Sequence, residues 1–324
     1  MKEFFNHNIL KINLLETMGR VKTIVALAFS VLILTILVII ICKKEGIAQS
    51  ASQGDGDTVA TSEFVFTAPY IPNEIDFAGE KVPLNNYWVR EGVDRELITA
   101  SNQHTLTMLS MKRSGRWFPI IEKIMKEEGL PDDFKYLCVA ESNLQNVISP
   151  AKATGFWQFM EKTAKLYDLE VREEVDERYD VEKSTHAACK YLIGSKKRLG
   201  TWSLAAAAYN MGEAGVKKQM TEQSCNSYWN LYLNQETARY MYRIIAYKLI
   251  FENPERYHYK LLPEDFYSPI ACDTLHVDTT ITSLHSFALS QNITYKELKD
   301  LNPWLRGKKL TVTAKPYTIK VPKK

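Results

Sequence analysis

Four stretches of different hydrophobic pattern divide the chain. Residues 23–42 (TIVALAFSVLILTILVIIIC) run twenty positions without a charge, enough to cross a bilayer as one helix. A secretory signal has a shorter apolar stretch followed by small residues at a cleavage site. Here Lys43 and Lys44 follow at once, and the nearest small-residue site, around Ala48, lies beyond them. Cys42 is preceded by Ile41, where bacterial lipidation takes a small residue. An uncleaved anchor is therefore expected over cleavage or lipidation. Lys2, Lys11, Arg20 and Lys22 precede the span, so residues 1–44 read as a cytoplasmic stub with a single-pass anchor, and the bulk of the chain as exported.

Residues 45–62 (EGIAQSASQGDGDTVATS) are polar, small and aperiodic, a flexible tether with a reach of roughly 20–25 Å. Residues 63–80, with Pro69 and Pro72, carry no period, and the linker is taken to run to residue 80. From 81 to 262 the spacing is helical. Ser114–Glu128 sets Ile120, Ile121, Ile124 and Met125 on one face, with Pro119 early and Gly129 as a stop. Pro131–Ser142 follows, started by Asp132 and Asp133. Asp180 caps a helix ending before Gly200, Ser203–Tyr209 carries an alanine run, and Glu236–Phe251 is a further amphipathic helix. No alternating strand pattern of any length intervenes, so this domain is mainly α. Residues 263–324 change character: Leu275–Val277, Thr282–Ser290, Tyr295–Leu301 and Tyr317–Val321 spell a small β-α-α-β module.

Composition narrows the functional classes. Hydrophobic residues make up 45% and charged residues 24% of the 324, which supplies an ordinary globular core. The net charge of +3 is concentrated at the N-terminus, where residues 1–44 hold six Lys/Arg against Glu3 and Glu16; the remainder stands at −1. That balance argues against a nucleic-acid partner. Five cysteines (Cys42, Cys138, Cys189, Cys225, Cys272) form no Cys-x-x-Cys or Cys/His cluster, so neither a metal nor a cofactor is expected. Cys138 and Cys189 lie on apolar helical faces as small core residues. Cys225 and Cys272 are a candidate pair in an oxidising compartment, which spacing alone does not establish.

Glu141 carries the clearest chemical signal. In the helix Pro131–Ser142, Phe134, Leu137 and Cys138 fall on one stripe, and Glu141 occupies the next position on it. A carboxylate facing a core is costly, so its pKa rises and it can stay protonated near neutral pH, as a general acid requires. Alternatively, Glu141 sits at a fraying helix end and reaches water or a lysine; the helix alone does not decide. Three further segments stand out: Gly155-Phe-Trp-Gln158-Phe-Met160, Ala208-Tyr209-Asn210-Met-Gly212 and Glu236-Thr-Ala-Arg-Tyr240. Singly, each has a plain structural explanation. Gln158 can bond neighbouring backbone, Tyr209 can be a core aromatic with a wet tip, and Asn210 with Gly212 can be a helix cap.

Together and in this order, Glu141-Ser142, Gly155–Met160, Ala208–Gly212 and Glu236–Tyr240 resemble the motif set of the lytic murein transglycosylases of the goose-lysozyme-like superfamily. The resemblance is nearest to the membrane-bound type D subgroup and extends through Val82-Pro-Leu-Asn and Arg113-Ser-Gly-Arg-Trp-Phe-Pro-Ile. Phe156 stands where the family usually has Leu. The resemblance implies a lysozyme-like helical catalytic domain over 81–262, with Glu141 as sole acid/base. It implies that Ser142 bonds near Glu141 or the sugar, that Gln158 and Met160 line the cleft, and that Tyr209 and Asn210 support Glu141 and the N-acetyl group. Tyr240 is a weaker candidate for the same wall. The substrate it implies is the glycan strand of peptidoglycan, cut to a 1,6-anhydromuramoyl end.

Conventional glycosidases use two carboxylates, and near Glu141 the sequence offers no evident second: Asp132 and Asp133 start the helix, and Glu161 is expected to face solvent. In the tail, Leu301-Asn-Pro-Trp-Leu and Tyr317–Pro322 resemble the end of a LysM-type glycan-binding module. The family's usual first-strand entry is reduced to Asp273-Thr-Leu275, which leaves glycan binding and simple packing both open. A hydrolytic muramidase and a non-catalytic murein-binding scaffold remain as alternative functions. Protein partners are not legible.

Overall fold

The computed structural model describes residues 67–323. The expected anchor at 23–42, Cys42 and the tether at 45–62 lie outside them. The described chain opens with a two-residue hairpin, β1 (Asp76–Phe77) and β2 (Glu80–Lys81). Helices α1 (Tyr87–Asn102), α2 (His104–Glu128) and α3 (Lys135–Ser142) follow. After a loop come α4 (Glu161–Leu166), α5 (Val181–Leu199), α6 (Trp202–Met211), α7 (Glu213–Glu222) and α8 (Gln235–Glu252). The tail supplies β3 (Cys272–Val277), α9 (Leu284–Ser290), α10 (Tyr295–Leu301) and β4 (Tyr317–Pro322). The β-α-α-β order matches the sequence reading, with β3 and β4 antiparallel from Cys272↔Pro322 to Val277↔Tyr317.

In the helical body α8 runs along α1 and touches α3 and α6, while α5 packs between α2 and α6. Leu97, Ile121, Leu137, Leu192, Leu204, Met241 and Ile244 are closed to solvent where these helices meet, each such side chain stabilising the fold by about 1.5–3 kcal/mol. The ends follow local chemistry. Asp180 accepts from Lys183 N at 3.1 Å, Thr201 from Leu204 N at 3.2 Å and Asn234 from Thr237 N at 3.0 Å, satisfying donors the helices leave free. Gly129 stops α2 in the left-handed region, φ 76°.

Helix α2 begins ten residues before the expected Ser114, and Pro119 lies inside it rather than near its start. The buried face of the early turns is built from Thr107, Ser110 and Ser114, whose hydroxyls donate to the carbonyls of Ala100, Leu106 and Met111 at 2.7 Å. Hydroxyls satisfied in this way pack without registering as apolar periodicity. The linker boundary at residue 80 also needs correction. Ile75, Phe77 and Val82 are buried in the main core, Phe77 meets Phe134 edge to face at 5.2 Å, and the Glu80 carboxylate accepts from Ser203 N at 3.1 Å. Two alternating residues are too few for a period to show.

The tail module is fastened to residues 170–183. Val175, fully closed, belongs to the module's own core with Leu284, Leu298, Leu305 and Ile319 and bridges to Leu305. Asp176 N donates to Trp304 O at 2.9 Å, Arg172 to Thr311 O at 2.9 Å, and Tyr317 OH to the Glu170 carboxylate at 2.9 Å. The Arg306 guanidinium lies over the Tyr179 ring, 4.2 Å from its centre. Cys225 and Cys272 are free thiols, so the candidate disulfide does not form.

Arg178, in the same segment, reaches the other way. Its guanidinium pairs with both oxygens of Asp176 at 2.9 and 2.7 Å and donates to Lys152 O and Phe159 O at 3.3 and 3.2 Å. Gly155, φ 86°, lies against it so closely that a Cβ there would sit 1.9 Å from the Arg178 carbonyl oxygen. A Cβ on Gly129 would meet nothing within 4 Å. Gly129→Ala is therefore expected to cost about 1 kcal/mol, for the left-handed backbone alone. Gly155→Ala should cost about 3 kcal/mol or more, for backbone and overlap together. Urea denaturation of both variants checks this; equal losses would mean that the 155–160 loop yields freely.

Candidate active site

Helix α3 is short and aimed at the core. Phe134, Leu137 and Cys138 are fully closed, and the stripe they begin ends on Glu141. The helix stops at Asn143, φ 52° and ψ 36°, whose N–H bonds to Val139 O at 2.8 Å. Glu141 thus stands on the last turn of an ordered, capped helix, not a fraying one. It is half-buried, and its carboxyl accepts a short hydrogen bond from the hydroxyl of Tyr240, a side chain only 1% exposed.

Electrostatics around the carboxyl pull in two directions. Burial disfavours the ion, and the Glu236 charge adds to this. The Tyr240 hydrogen bond and the Arg243 guanidinium favour the ion. Burial wins, and Glu141 is pushed up to about 7. The same surroundings push the Tyr240 and Tyr209 phenols well above their usual range, burial first and the Glu141 charge second. Both therefore remain hydrogen-bond donors at neutral pH.

The remaining candidates separate. Tyr209 donates to Trp157 O at 2.7 Å, not to Glu141, and stands edge-on to Phe159 with ring centres 5.8 Å apart. It ties α6 to the 155–160 loop. Gln158 takes a left-handed backbone, φ 50°, and its amide donates to Val147 O at 3.0 Å and Gly155 O at 2.7 Å; both bonds hold the loop. Met160 is 46% exposed at the start of α4. Asn210 accepts from Thr237 Oγ1 at 2.7 Å, joining α6 to α8. Ser142 is buried at 3% exposure, and its hydroxyl donates to Cys138 O at 3.2 Å. It therefore finishes its own helix rather than bonding Glu141. Glu161 is paired with Lys165 at 2.6 Å in an exposed position, as expected.

Tyr240, the weakest candidate in the sequence, is the residue that touches Glu141. Arg243 had no sequence signal of its own, although it lies three positions after Tyr240 on α8. It pairs with Glu236 at 3.1 Å and approaches the buried Glu96 at 3.9 Å. Glu236 is also the second carboxylate whose charge acts on Glu141. Among the described residues no group of three His, Cys, Asp or Glu is placed to hold a metal ion, and no helix is long and apolar enough to cross a membrane.

Comparison with known proteins accounts for both parts of the described chain. Residues 118–232 match the transglycosylase SLT domain, and residues 273–324 match the soluble lytic transglycosylase C-terminal LysM-like domain. The chain carries these two domains in that order. It is 28% identical over 283 residues to a membrane-bound lytic murein transglycosylase D of Escherichia coli, covering 86% of this chain and 60% of that protein. A putative tributyltin chloride resistance protein of Alteromonas sp. is 31% identical over 121 residues, 36% of this chain and 58% of that one. Among solved structures, an inactive mutant of the lytic transglycosylase Slt from Pseudomonas aeruginosa is 16% identical, with a TM-score of 0.34 over 47% of this chain and 26% of that one.

The raised Glu141 carboxyl has a consequence for stability. It titrates near 7 in the fold, against an ordinary 4.5, so the folded state holds the proton more tightly. Stability then falls as pH rises from about 4.5 through 7, by about 3 kcal/mol in all. Glu141→Gln removes this loss. Its melting temperature relative to the unsubstituted protein should climb between pH 5 and pH 8; a difference that stays flat over that range would mean the carboxyl is not perturbed.

Proposed function

We propose that this protein is a peptidoglycan lytic transglycosylase, with Glu141 as its single acid/base. The observation that carries the reading is one half-buried carboxyl, raised to about 7 and bonded to a buried phenol, on the helix that opens into the SLT domain's motif set. The bond cleaved is the β-1,4 link between N-acetylmuramic acid and N-acetylglucosamine. Glu141 gives its proton to the glycosidic oxygen as that bond breaks, and the muramoyl N-acetyl carbonyl stabilises the developing positive charge at the anomeric carbon. The Glu141 carboxylate, steadied by Tyr240, then takes the proton of the muramoyl 6-hydroxyl while its oxygen closes on the anomeric carbon. No water is consumed, and the enzyme recovers its proton. A group titrating near the working pH serves both halves.

In this reading Tyr240 is a direct partner of the acid/base, and Met160, Gln158 and Asn210 border the sugar sites. Tyr209 holds the wall they stand on, and Ser142 keeps α3 intact under Glu141. The matched LysM-like tail and the relative called a membrane-bound lytic murein transglycosylase support a cell-wall substrate. We also propose attachment to the membrane through residues 23–42, with the catalytic part on the exported side.

Purified murein sacculi digested with the protein, beside Glu141→Gln, test the reaction by mass spectrometry of the soluble products. Anhydromuropeptides, lighter than hydrated muropeptides by one water and missing with the variant, are expected. Hydrated products would make the protein a muramidase, and sacculus binding without products would make it a scaffold. Because Glu141 must begin protonated, kcat/KM is expected to fall as pH rises through about 7. Tyr240→Phe removes a bond that favours the ion, so this alkaline limb should move up by about one pH unit, with a roughly tenfold loss of rate. A pH–rate profile measures both, and an unmoved limb would remove Tyr240 from the acid/base pair.

A further inference from the structure

Tyr228 is a buried phenol that the chemistry described above does not use. It opens the short helical turn Tyr228–Asn230 ahead of α8 and is 3% exposed. Its hydroxyl meets the backbone of α8 at three points within one turn: Thr237 O at 2.8 Å, Ala238 O at 2.9 Å and Met241 N at 3.3 Å. Thr237 O is the carbonyl that the Met241 N–H faces in an α-helix. The hydroxyl has one proton to give and lone pairs to receive, so it sits astride a single rung of the ladder. Tyr240 stands on that same turn, and its own hydroxyl donates to Glu141.

These bonds exceed what the start of a helix requires. A buried phenol needs one acceptor, and a helix start needs partners for its free N–H groups, not for carbonyls already in the ladder. Asn234 meets that need by accepting from Thr237 N. Two further elements hold the same part of α8. Thr237 Oγ1 donates to Asn210 of α6 at 2.7 Å, and the Tyr242 ring lies so close to Gly92 of α1 that a Cβ there would come within 2.6 Å of it. Tyr228 is itself seated from α1. Trp88 Nε1 donates to the Trp229 carbonyl at 2.9 Å, and the Trp229 ring stands edge-on to Tyr228 with centres 5.1 Å apart. The other groups that act on Glu141 or feel its charge are Arg243 and Glu236 of α8, Tyr209 of α6 and Cys138 of α3. Tyr228 bonds to none of them. Its influence on the acid passes through the α8 backbone and Tyr240.

We propose that Tyr228 is a positioning residue of the acid/base pair: its hydroxyl fixes the turn of α8 from which Tyr240 reaches Glu141. The inference deepens the reading of Glu141 given above and rests on it for its bearing on catalysis. The need for such a prop comes from leverage. A tyrosine hydroxyl stands far from its own backbone, so a small rotation of the turn carries it further than the helix itself moves. Hydrogen bonds weaken steeply as their angle opens, and a displaced partner costs rate without costing binding.

Tyr228→Phe in the full chain keeps the ring and removes only the oxygen. The first readout needs no reaction: the melting temperature of this variant is compared with Tyr228→Phe combined with Glu141→Gln, between about pH 5 and pH 9. The Tyr240 bond favours the Glu141 ion, so loosening it should carry the climb of that difference to higher pH by about half a unit. In sacculus digests kcat should fall roughly threefold to tenfold with KM little changed, and the alkaline limb should move the same way. Tyr228→Phe combined with Tyr240→Phe should move the limb no further than Tyr240→Phe alone. Tyr257→Phe removes another buried phenol, bonded to Tyr70 O at 2.9 Å, and should leave the limb in place. An unmoved melting profile in folded Tyr228→Phe, an additive shift in the combined variant, or an equal shift in Tyr257→Phe would each overturn the assignment. Should Tyr228→Phe not fold, Trp88→Phe, at a position 45% exposed, decides in its place: displacement in the same direction is expected, and an unmoved profile overturns the assignment. Absence of anhydromuropeptides would sink the reading of the reaction alone, because the melting profile does not depend on it.

Discussion

The pairing of Arg178 with Asp176 is the interaction on which both halves of the molecule lean. The two side chains are each about nine-tenths buried, and such a pair contributes geometry more than net stability, because desolvation offsets most of the attraction. What it fixes is the segment between residues 170 and 180. On one side the Arg178 guanidinium holds the carbonyls of Lys152 and Phe159, and with them the loop that carries Gln158 and Met160. On the other side the same segment inserts Val175 into the core of the C-terminal module. The footing of the 152–160 loop and the seat of the tail are thus two faces of one strip of backbone. This explains why the tail packs as part of the body, and why Gly155 must lack a side chain where it meets that strip.

The chemistry depends on a second constraint, the brevity of α3. Its eight residues bury Tyr136, Leu137, Cys138 and Val139 and then deliver a carboxyl to a place already crowded by α6 and α8. Water cannot fully solvate the ion there, and the proton is retained to about pH 7. The opposing groups keep the shift moderate. Without Tyr240 and Arg243 the carboxyl would hold its proton more firmly, and without burial it would lose it at a lower pH. The acid-then-base role proposed for Glu141 needs both influences.

Much of this was legible in the chain because it is local. The stripe that ends on Glu141, the caps at Asp180 and Gly129, and the four elements of the tail all follow from spacing and turn chemistry within a few residues. The failures share the opposite property. The first turns of α2 hide behind hydroxyls that become acceptable in a core only once their carbonyl partners are known. Ile75 and Phe77 look like linker until Phe134 is placed beside them. Ser142 sits next to the acid in sequence, yet helix geometry turns its hydroxyl back to Cys138. Tyr240 and Arg243 lie about a hundred residues from Glu141 and are brought to it only by the packing of α8 on α3. A charge acting through space leaves no periodicity to read.

Arg243 ties the acidity of Glu141 to the fold around it. Its guanidinium is the cation that favours ionised Glu141, and its charge is already divided between Glu236 and the buried Glu96. What reaches Glu141 is the remainder of a shared charge, set by one carboxylate on α8 and one on α1 rather than by the helix that carries the acid.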